Sequence, residues 1–329
     1  MRLGFALSLV ITAAIANAAD PLATELASRA AVSAQALRGQ ADWFFVTKEL
    51  AHYGSPAGWA TAVPATPKAS SPLDVIAACR DNLASAGIEL VLVPVPGKVV
   101  LHAHQLLPPV AVPQGRLDSA ERAFYGALEQ RGVTVVDLTP IFAHLKDEPF
   151  CHQDSHYSPA GQQAAAAAVA TLIKGRPWYA AQPKLKTSTF SATVAVTGDL
   201  AQLAGEPLPA KEQLVVRQVK IGEVFADDET LAAQRRASPI VLMGDSHCLV
   251  YGSGGDLLAD HAAFGSQLTA ETGLPVDVVA NRGSGLNAPR IELIRRKDRL
   301  AGKTIVVWLF TARLFTQTTE SWKVLDLIR

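Results

Sequence analysis

The sequence predicts an α/β fold with an open, mostly parallel sheet flanked by helices. Two observations predict it. The stretches "IELVLVPVPGK", "VTVVDL", "PIVLM", "PVDVVA" and "KTIVVWLF" run nearly unbroken in apolar residues, as strands do when both faces of a sheet are covered. Segments with helical patterning separate them, which is the alternation expected of parallel strands joined by crossovers. A chain of 329 residues, 49% hydrophobic, can bury the core that such a domain requires.

The elements follow in order. Glu25 to Leu37 has the spacing of an amphipathic helix. The aromatic run Trp43 to Phe45 in "ADWFFVTKELAHYG" predicts a buried strand. In "SPLDVIAACRDNLASAG", Ser71 is placed as N-cap, Pro72 at the first helical position and Gly87 as the stop. The strand "IELVLVPVPGK" follows, and "LDSAERAFYGALEQRG" with "VTVVDL" repeats the helix-then-strand unit. "SHYSPAGQQAAAAAVATLIKG" predicts a helix with Ser158 as N-cap, Pro159 next and Gly175 at its end; the alanine run needs no reason beyond helix propensity. Residues 176–238 are polar and short-patterned, and predict an irregular insertion with a few hairpin strands. Strand 239–243, a helix across roughly 256–272 stopped by Gly273, strand "PVDVVA", a helix from Pro289 and strand "KTIVVWLF" complete one α/β domain over residues 19–329.

With 30 basic and 30 acidic residues, the chain has no electrostatic reason to bind nucleic acid. Residues 1–18 have one charge (Arg2), an apolar stretch from Leu3 to Ile15, and small residues at Ala16 and Ala18. That layout predicts a secretory signal peptide cut after Ala18, exporting the folded part to the periplasm. Left uncut, the same stretch is an anchor that holds the chain at the inner membrane. In an oxidising compartment Cys79, Cys151 and Cys248 permit one disulfide and leave one thiol over, and their spacing fits no zinc knuckle.

The stretch "VLMGDSHCLV" brings a buried strand directly into Ser246. Gly-Asp-Ser is ordinary turn chemistry, but a strand end also holds a hydroxyl at the rim of an open sheet, where sites of such folds form. A serine nucleophile needs an imidazole to take its proton and a carboxylate to fix the ring's tautomer. "CHQDSHYSP" offers both in Asp154 and His156, just before a helix. A rival reading groups Cys151, His152, Asp154 and His156 as metal ligands; the types suit zinc, but the run needs a further ligand and an open position. His247 adjoins the serine and is expected to point away from it, in a packing or substrate role. The loop "ANRGSGLNAP" places Gly283 and Gly285 where backbone can approach a ligand closely.

With these stretches in place, the chain resembles the SGNH-hydrolase-like domain of bacterial alginate O-acetylation proteins, the AlgJ and AlgX type. "DWFFVTKEL", "GIELVLVPVPGKVVL", "GVTVVDLTPIF", "DSHYSPAGQQAAAAAVA", "LMGDSHCLVYG" and "IVVWLFTARLF" occur in the family's order across most of residues 40 to 315. The Asp-x-His before a helix, preceding Gly-Asp-Ser in the chain, carries most of the specificity. The resemblance implies Ser246 as nucleophile, His156 as general base and Asp154 as orienting acid. It implies Gly285, better placed than Gly283, as second oxyanion donor, and Tyr157 and Arg313 as residues lining the substrate site. It further implies an acetyltransferase that needs no cofactor or metal, accepts a polysaccharide, and draws acetyl from a membrane-bound acyltransferase partner. Tyr157 stands where tryptophan is usual, His247 replaces an aromatic residue, and Leu309 sits where an acid is common, so acceptor specificity is open. The short tail after "IVVWLF" implies the AlgJ plan, without the appended carbohydrate-binding module of the AlgX type. Two alternatives stand beside this reading: an acetyl esterase with water as acceptor, and a non-catalytic polysaccharide-binding or assembly protein. Tyr157, Tyr251 and Trp308 are candidates to stack on sugar rings, with core packing the stronger reading for Trp308.

Overall fold

A computed structural model describes residues 21–55, 70–108 and 116–329 of the chain. The expected signal peptide, residues 1–18, lies outside them. Among the described residues no helix is long and apolar enough to cross a membrane. The strands are, in chain order, β1 (Ala36–Arg38), β2 (Phe44–Val46), β3 (Glu89–Val95), β4 (Thr134–Val135), β5 (Thr187–Val196), β6 (Glu212–Ile221), β7 (Val224–Phe225), β8 (Ile240–Gly244), β9 (Asp277–Ala280) and β10 (Ile305–Thr311).

The central sheet has the order β4-β3-β10-β8-β9, and every pairing in it is parallel. Its unbroken apolar runs are explained by two cores. Val91, Val93, Leu242, Val307 and Leu309 point to one face, while Leu90, Leu92, Val241, Met243, Val306, Trp308 and Phe310 point to the other. Alternate side chains of one strand therefore enter different cores, so both sets must be apolar. Each such side chain, when fully buried, contributes roughly 1.5–3 kcal/mol. The first face is covered by helices Pro159–Lys174 and Phe264–Thr272, the second by Pro72–Ala84, Ser119–Gln130 and Asn287–Arg295. The alanines of the Pro159–Lys174 helix include Ala165, Ala166 and Ala170, all buried against the first core. Both expected N-caps form: Ser71 Oγ accepts from Asp74 N–H at 3.1 Å, and Ser158 Oγ from Gly161 N–H at 3.2 Å.

Several boundaries differ from the sequence expectations. The helix expected from Glu25 to Leu37 occupies Pro21–Ala30, and Ala36–Arg38 instead pairs antiparallel with β2. Tertiary packing decides this, because Ala36 and Phe44 are buried together against Leu200 and Ala201 of the insertion. The helix expected across 256–272 is confined to Phe264–Thr272, ending at Gly273 (φ +68°) as anticipated. Its first half is a single 3₁₀ turn and a loop in which Leu258 and His261 take left-handed backbone angles, a conformation incompatible with a continuous helix. The last helix begins at Asn287, two residues before Pro289. The insertion does form hairpin strands, β5 and β6 antiparallel over ten residues with β7 at the edge. The permitted disulfide is absent: the three cysteines are free and buried, with Cys79 in one core and Cys151 and Cys248 in the other.

Candidate active site

The turn that carries Ser246 is built where β8 stops. Gly244 ends the strand, and Asp245 caps the short 3₁₀ turn Ser246–Cys248. Asp245 Oδ1 accepts from the His247 amide at 2.9 Å and from His247 Nδ1 at 3.0 Å, while Oδ2 accepts from the Thr311 amide at 2.8 Å. The aspartate of Gly-Asp-Ser thus locks the turn to the end of β10, leaving Ser246 half-buried. Burial pushes the Asp245 carboxyl up, but the His247 ring and the two amides outweigh it and hold it at about 2.

That depression gives a pH dependence of stability. Unfolding returns Asp245 to its ordinary value of 3.8, so its contribution is complete above about pH 4 and is lost as pH falls toward 2. The contribution is about 2 kcal/mol. Urea midpoints of the wild type should fall across this window, and those of Asp245→Asn should fall less steeply. Parallel midpoint curves would refute the assignment.

The second loop is closed by a bridge between Phe150 and Tyr157, so residues 151–156 form a tight bend just before the Pro159–Lys174 helix. It carries Asp154 and His156 to the same sheet end as Ser246. Ser246 Oγ lies 2.8 Å from His156 Nε2, and His156 Nδ1 lies 2.7 Å from Asp154 Oδ1, which also accepts the His156 amide at 3.0 Å. With Nδ1–H donated to the carboxylate, Nε2 is left to accept the serine hydroxyl. Burial alone would lower the His156 pKa, but the charges of Asp154, Asp199 and Asp245 outweigh it and raise it above 6.5. Burial likewise opposes ionising Asp154, yet His156 and, more weakly, Lys98 hold its carboxyl below the usual range.

The other expected site residues divide. Gly285 is buried against the turn that carries Ser246: a Cβ there would sit 2.8 Å from Phe310 Cβ and 3.0 Å from Asp245 Cβ. Trp308 Nε1–H fixes the Gly285 carbonyl at 2.7 Å. Among the described residues, no acceptor is found for the Ser246 or the Gly285 amide. Gly283 stands apart, exposed, at a left-handed turn (φ +70°) with open space around it. Arg313 is partly buried and committed to Glu49 Oε1 at 2.8 Å and Thr311 Oγ1 at 3.0 Å. Tyr157 is not available to substrate. It is fully buried, its hydroxyl donating to the His247 carbonyl and its ring edge-on to His247 at 5.0 Å. Tyr251 and Trp308 are also fully buried, so none of the three can stack on a sugar. The side chains of the rival metal set have other partners: Cys151 Sγ meets Tyr251 OH at 3.1 Å, the His152 ring stacks on Trp43 at 4.0 Å, and Asp154 pairs with His156.

Sequence reading missed the residues that hold the bend. Lys98 follows β3 and is only 2% exposed. Its ammonium donates to three carbonyls, Phe44 at 2.9 Å, His152 at 3.1 Å and Asp154 at 2.8 Å, using all three of its protons. Glu212, at the start of β6, accepts the amides of His152 (3.0 Å) and Gln153 (3.3 Å). One cation on the carbonyls and one anion on the amides thus fasten the same backbone. A lysine set between an apolar strand and "VV" in "PVPGKVV" was a visible signal; nothing local marked Glu212.

Comparison with known proteins decides the family. Residues 36–312 match the family described as "ALGX: SGNH hydrolase-like domain, acetyltransferase AlgX". The chain belongs to this family. Among AlgX-family relatives, the alginate biosynthesis protein AlgX of Pseudomonas fluorescens is 26% identical over 295 residues, covering 84% of this chain and 55% of its own length. The probable alginate O-acetylase AlgJ of Pseudomonas putida is 24% identical over 250 residues, covering 73% of this chain and 62% of its own. The chain therefore spans about half the length of the AlgX relative it matches. The solved O-acetyltransferase domain of Pseudomonas putida AlgJ superposes with a TM-score of 0.66 at 22% identity, covering 87% of this chain and 94% of that domain, which establishes the SGNH-hydrolase-like fold.

Proposed function

We propose that this AlgX-family chain is an O-acetyltransferase that moves acetyl groups onto hydroxyls of an exopolysaccharide such as alginate, through an acetyl-serine intermediate. The single observation that carries the reading is the unbroken hydrogen-bond chain Asp154–His156–Ser246 at a strand end. Ser246 Oγ attacks the acetyl carbonyl carbon while His156 Nε2 takes its proton, and the Ser246 and Gly285 amides stabilise the oxyanion. The same proton passes to the departing donor group as its bond to acetyl breaks. A sugar hydroxyl then attacks the acetyl-serine, giving its proton to Nε2, from which it returns to Ser246 Oγ.

The names of the relatives support an alginate-type acceptor, and the apolar N-terminal stretch supports export to the periplasm. There a membrane-bound acyltransferase partner is the natural source of activated acetyl. Because Ser246 is half-buried rather than sealed, water competes as acceptor, and an acetyl esterase is the second reading. Incubation with a small activated acetyl ester should leave one acetyl group on the intact protein, and added oligosaccharides should divert acetyl from water to sugar. An unchanged hydrolysis rate with no acetylated product, across neutral and acidic glycans, would leave the esterase.

A further inference from the structure

The insertion reaches the acid–base bend from outside. Gly198 and Asp199, two and three residues beyond β5, lie directly on it. A Cβ on Gly198 would sit 2.0 Å from Gln153 O and 2.5 Å from Asp154 N, so only glycine permits this approach. Leu200 N–H donates to Gln153 O at 3.1 Å, and Asp199 N–H makes a long contact of 3.4 Å to Asp154 Oδ2. In return, the Asp199 carboxylate accepts the Ser155 amide at 3.1 Å and the Ser155 hydroxyl at 3.2 Å. Ser155 is the residue between Asp154 and His156, so a solvent-exposed carboxylate is fixed on the bend that carries the base.

We propose that Asp199 is a positioning residue of the acyl-transfer site, holding the Asp154–His156 bend and supplying a second negative charge that favours the imidazolium formed during acetyl transfer. The assignment rests on His156 being the general base. The charged and titratable groups around that imidazole are Asp154 on its own bend, Asp199 from the insertion, and Asp245 and His247 from the nucleophile turn, with Lys98 behind Asp154. His247 meets the ring edge-on at 4.8 Å, and burial lowers its pKa despite Asp245, the opposite direction to His156. Three carboxylates therefore act on His156, and Asp199 is the one of them that reaches the surface, although the neighbouring bend desolvates it in part; Asp154 and Asp245 are buried. Burial and the Asp154 charge hold the Asp199 carboxyl above the usual range, so its influence fades as pH falls.

The test follows the His156 imidazole by NMR titration of the full chain, alongside the pH dependence of Ser246 modification by a sulfonyl fluoride. Asp199→Asn should lower the His156 midpoint by about half a pH unit and move the acid limb of Ser246 modification down equally. Asp199→Ala should do the same and also slow the high-pH plateau about tenfold, because Ser155 loses both acceptors. Raising ionic strength should lower the wild-type midpoint and leave Asp199→Asn nearly unmoved, since an exposed charge is screened and buried ones far less. That comparison needs only a folded wild type if the variants misfold: a wild-type midpoint indifferent to salt would overturn the proposal. So would an unchanged midpoint in a folded Asp199→Asn protein. If wild-type Ser246 resists modification at every pH, the nucleophile reading fails, while the NMR midpoint still decides the role of Asp199.

Discussion

Ser246→Ala protein should carry no acetyl group after incubation with an activated acetyl ester, and its turnover of that ester should fall at least about 10⁴-fold. Ser246 Oγ is the hydroxyl held 2.8 Å from His156 Nε2, so removing it leaves the imidazole nothing to activate. His156→Ala should cost nearly as much, and the double variant should be no worse than either single one, because the members of such a unit do not contribute additively. The Ser246→Ala variant should remain folded. The serine hydroxyl is half-buried and the loss of its one hydrogen bond is worth about 1 kcal/mol, too little to unfold a domain with two continuous cores. Melting temperature and circular dichroism check that point. Any activity left in the alanine variant is expected from binding and from the proposed oxyanion donors, the Ser246 and Gly285 amides. Full acetyl uptake by the Ser246→Ala protein would remove the catalytic assignment.

Asp154→Asn should slow acetyl transfer by about 10⁴-fold while leaving the fold in place. Asp154 Oδ1 accepts two hydrogen bonds, one from the His156 amide and one from Nδ1. An asparagine turned to keep its oxygen toward the amide loses the charge that stabilises the imidazolium. Turned the other way, its NH₂ forces Nδ1 to accept, which places the ring proton on Nε2 and removes the base from Ser246. The pH profile separates this from a general loosening of the site. Asp154 is the largest of the charges that raise the His156 pKa, and without it burial dominates, so the His156 midpoint should drop below its wild-type position. Lys98, donating to the Asp154 carbonyl rather than its carboxylate, still holds the backbone of the bend. An Asp154→Asn protein that keeps both wild-type rate and wild-type His156 midpoint would refute the orienting role.

The sequence by itself determined the layered α/β architecture, because a strand buried on both faces must be apolar at every position and a helix needs recognisable ends. Ser71 with Pro72 and Ser158 with Pro159 cap the helices expected of them. It also marked the serine, histidine and aspartate that meet, since one bend before a helix carried an acid and an imidazole two residues apart and another loop carried a strand-end serine; folding then brings the two together. What it could not determine is where a side chain spends its polar or aromatic surface once the chain is folded. Tyr157 read as a substrate contact and proves to be core, because its hydroxyl finds the His247 carbonyl across the two loops. Ala36 and Leu37 read as the end of a helix and pair as strand, because burial of Ala36 beside Phe44 outweighs a weak local propensity. Residues 176–238 read as an irregular insertion with hairpin strands, and they place Asp199 and Glu212 against the bend that carries Asp154 and His156. Those two carboxylates reach it across about 45 and 60 residues of chain, and only tertiary packing brings charges so distant in sequence into hydrogen-bond range, where Coulomb and hydrogen-bond energies become large enough to fix a backbone.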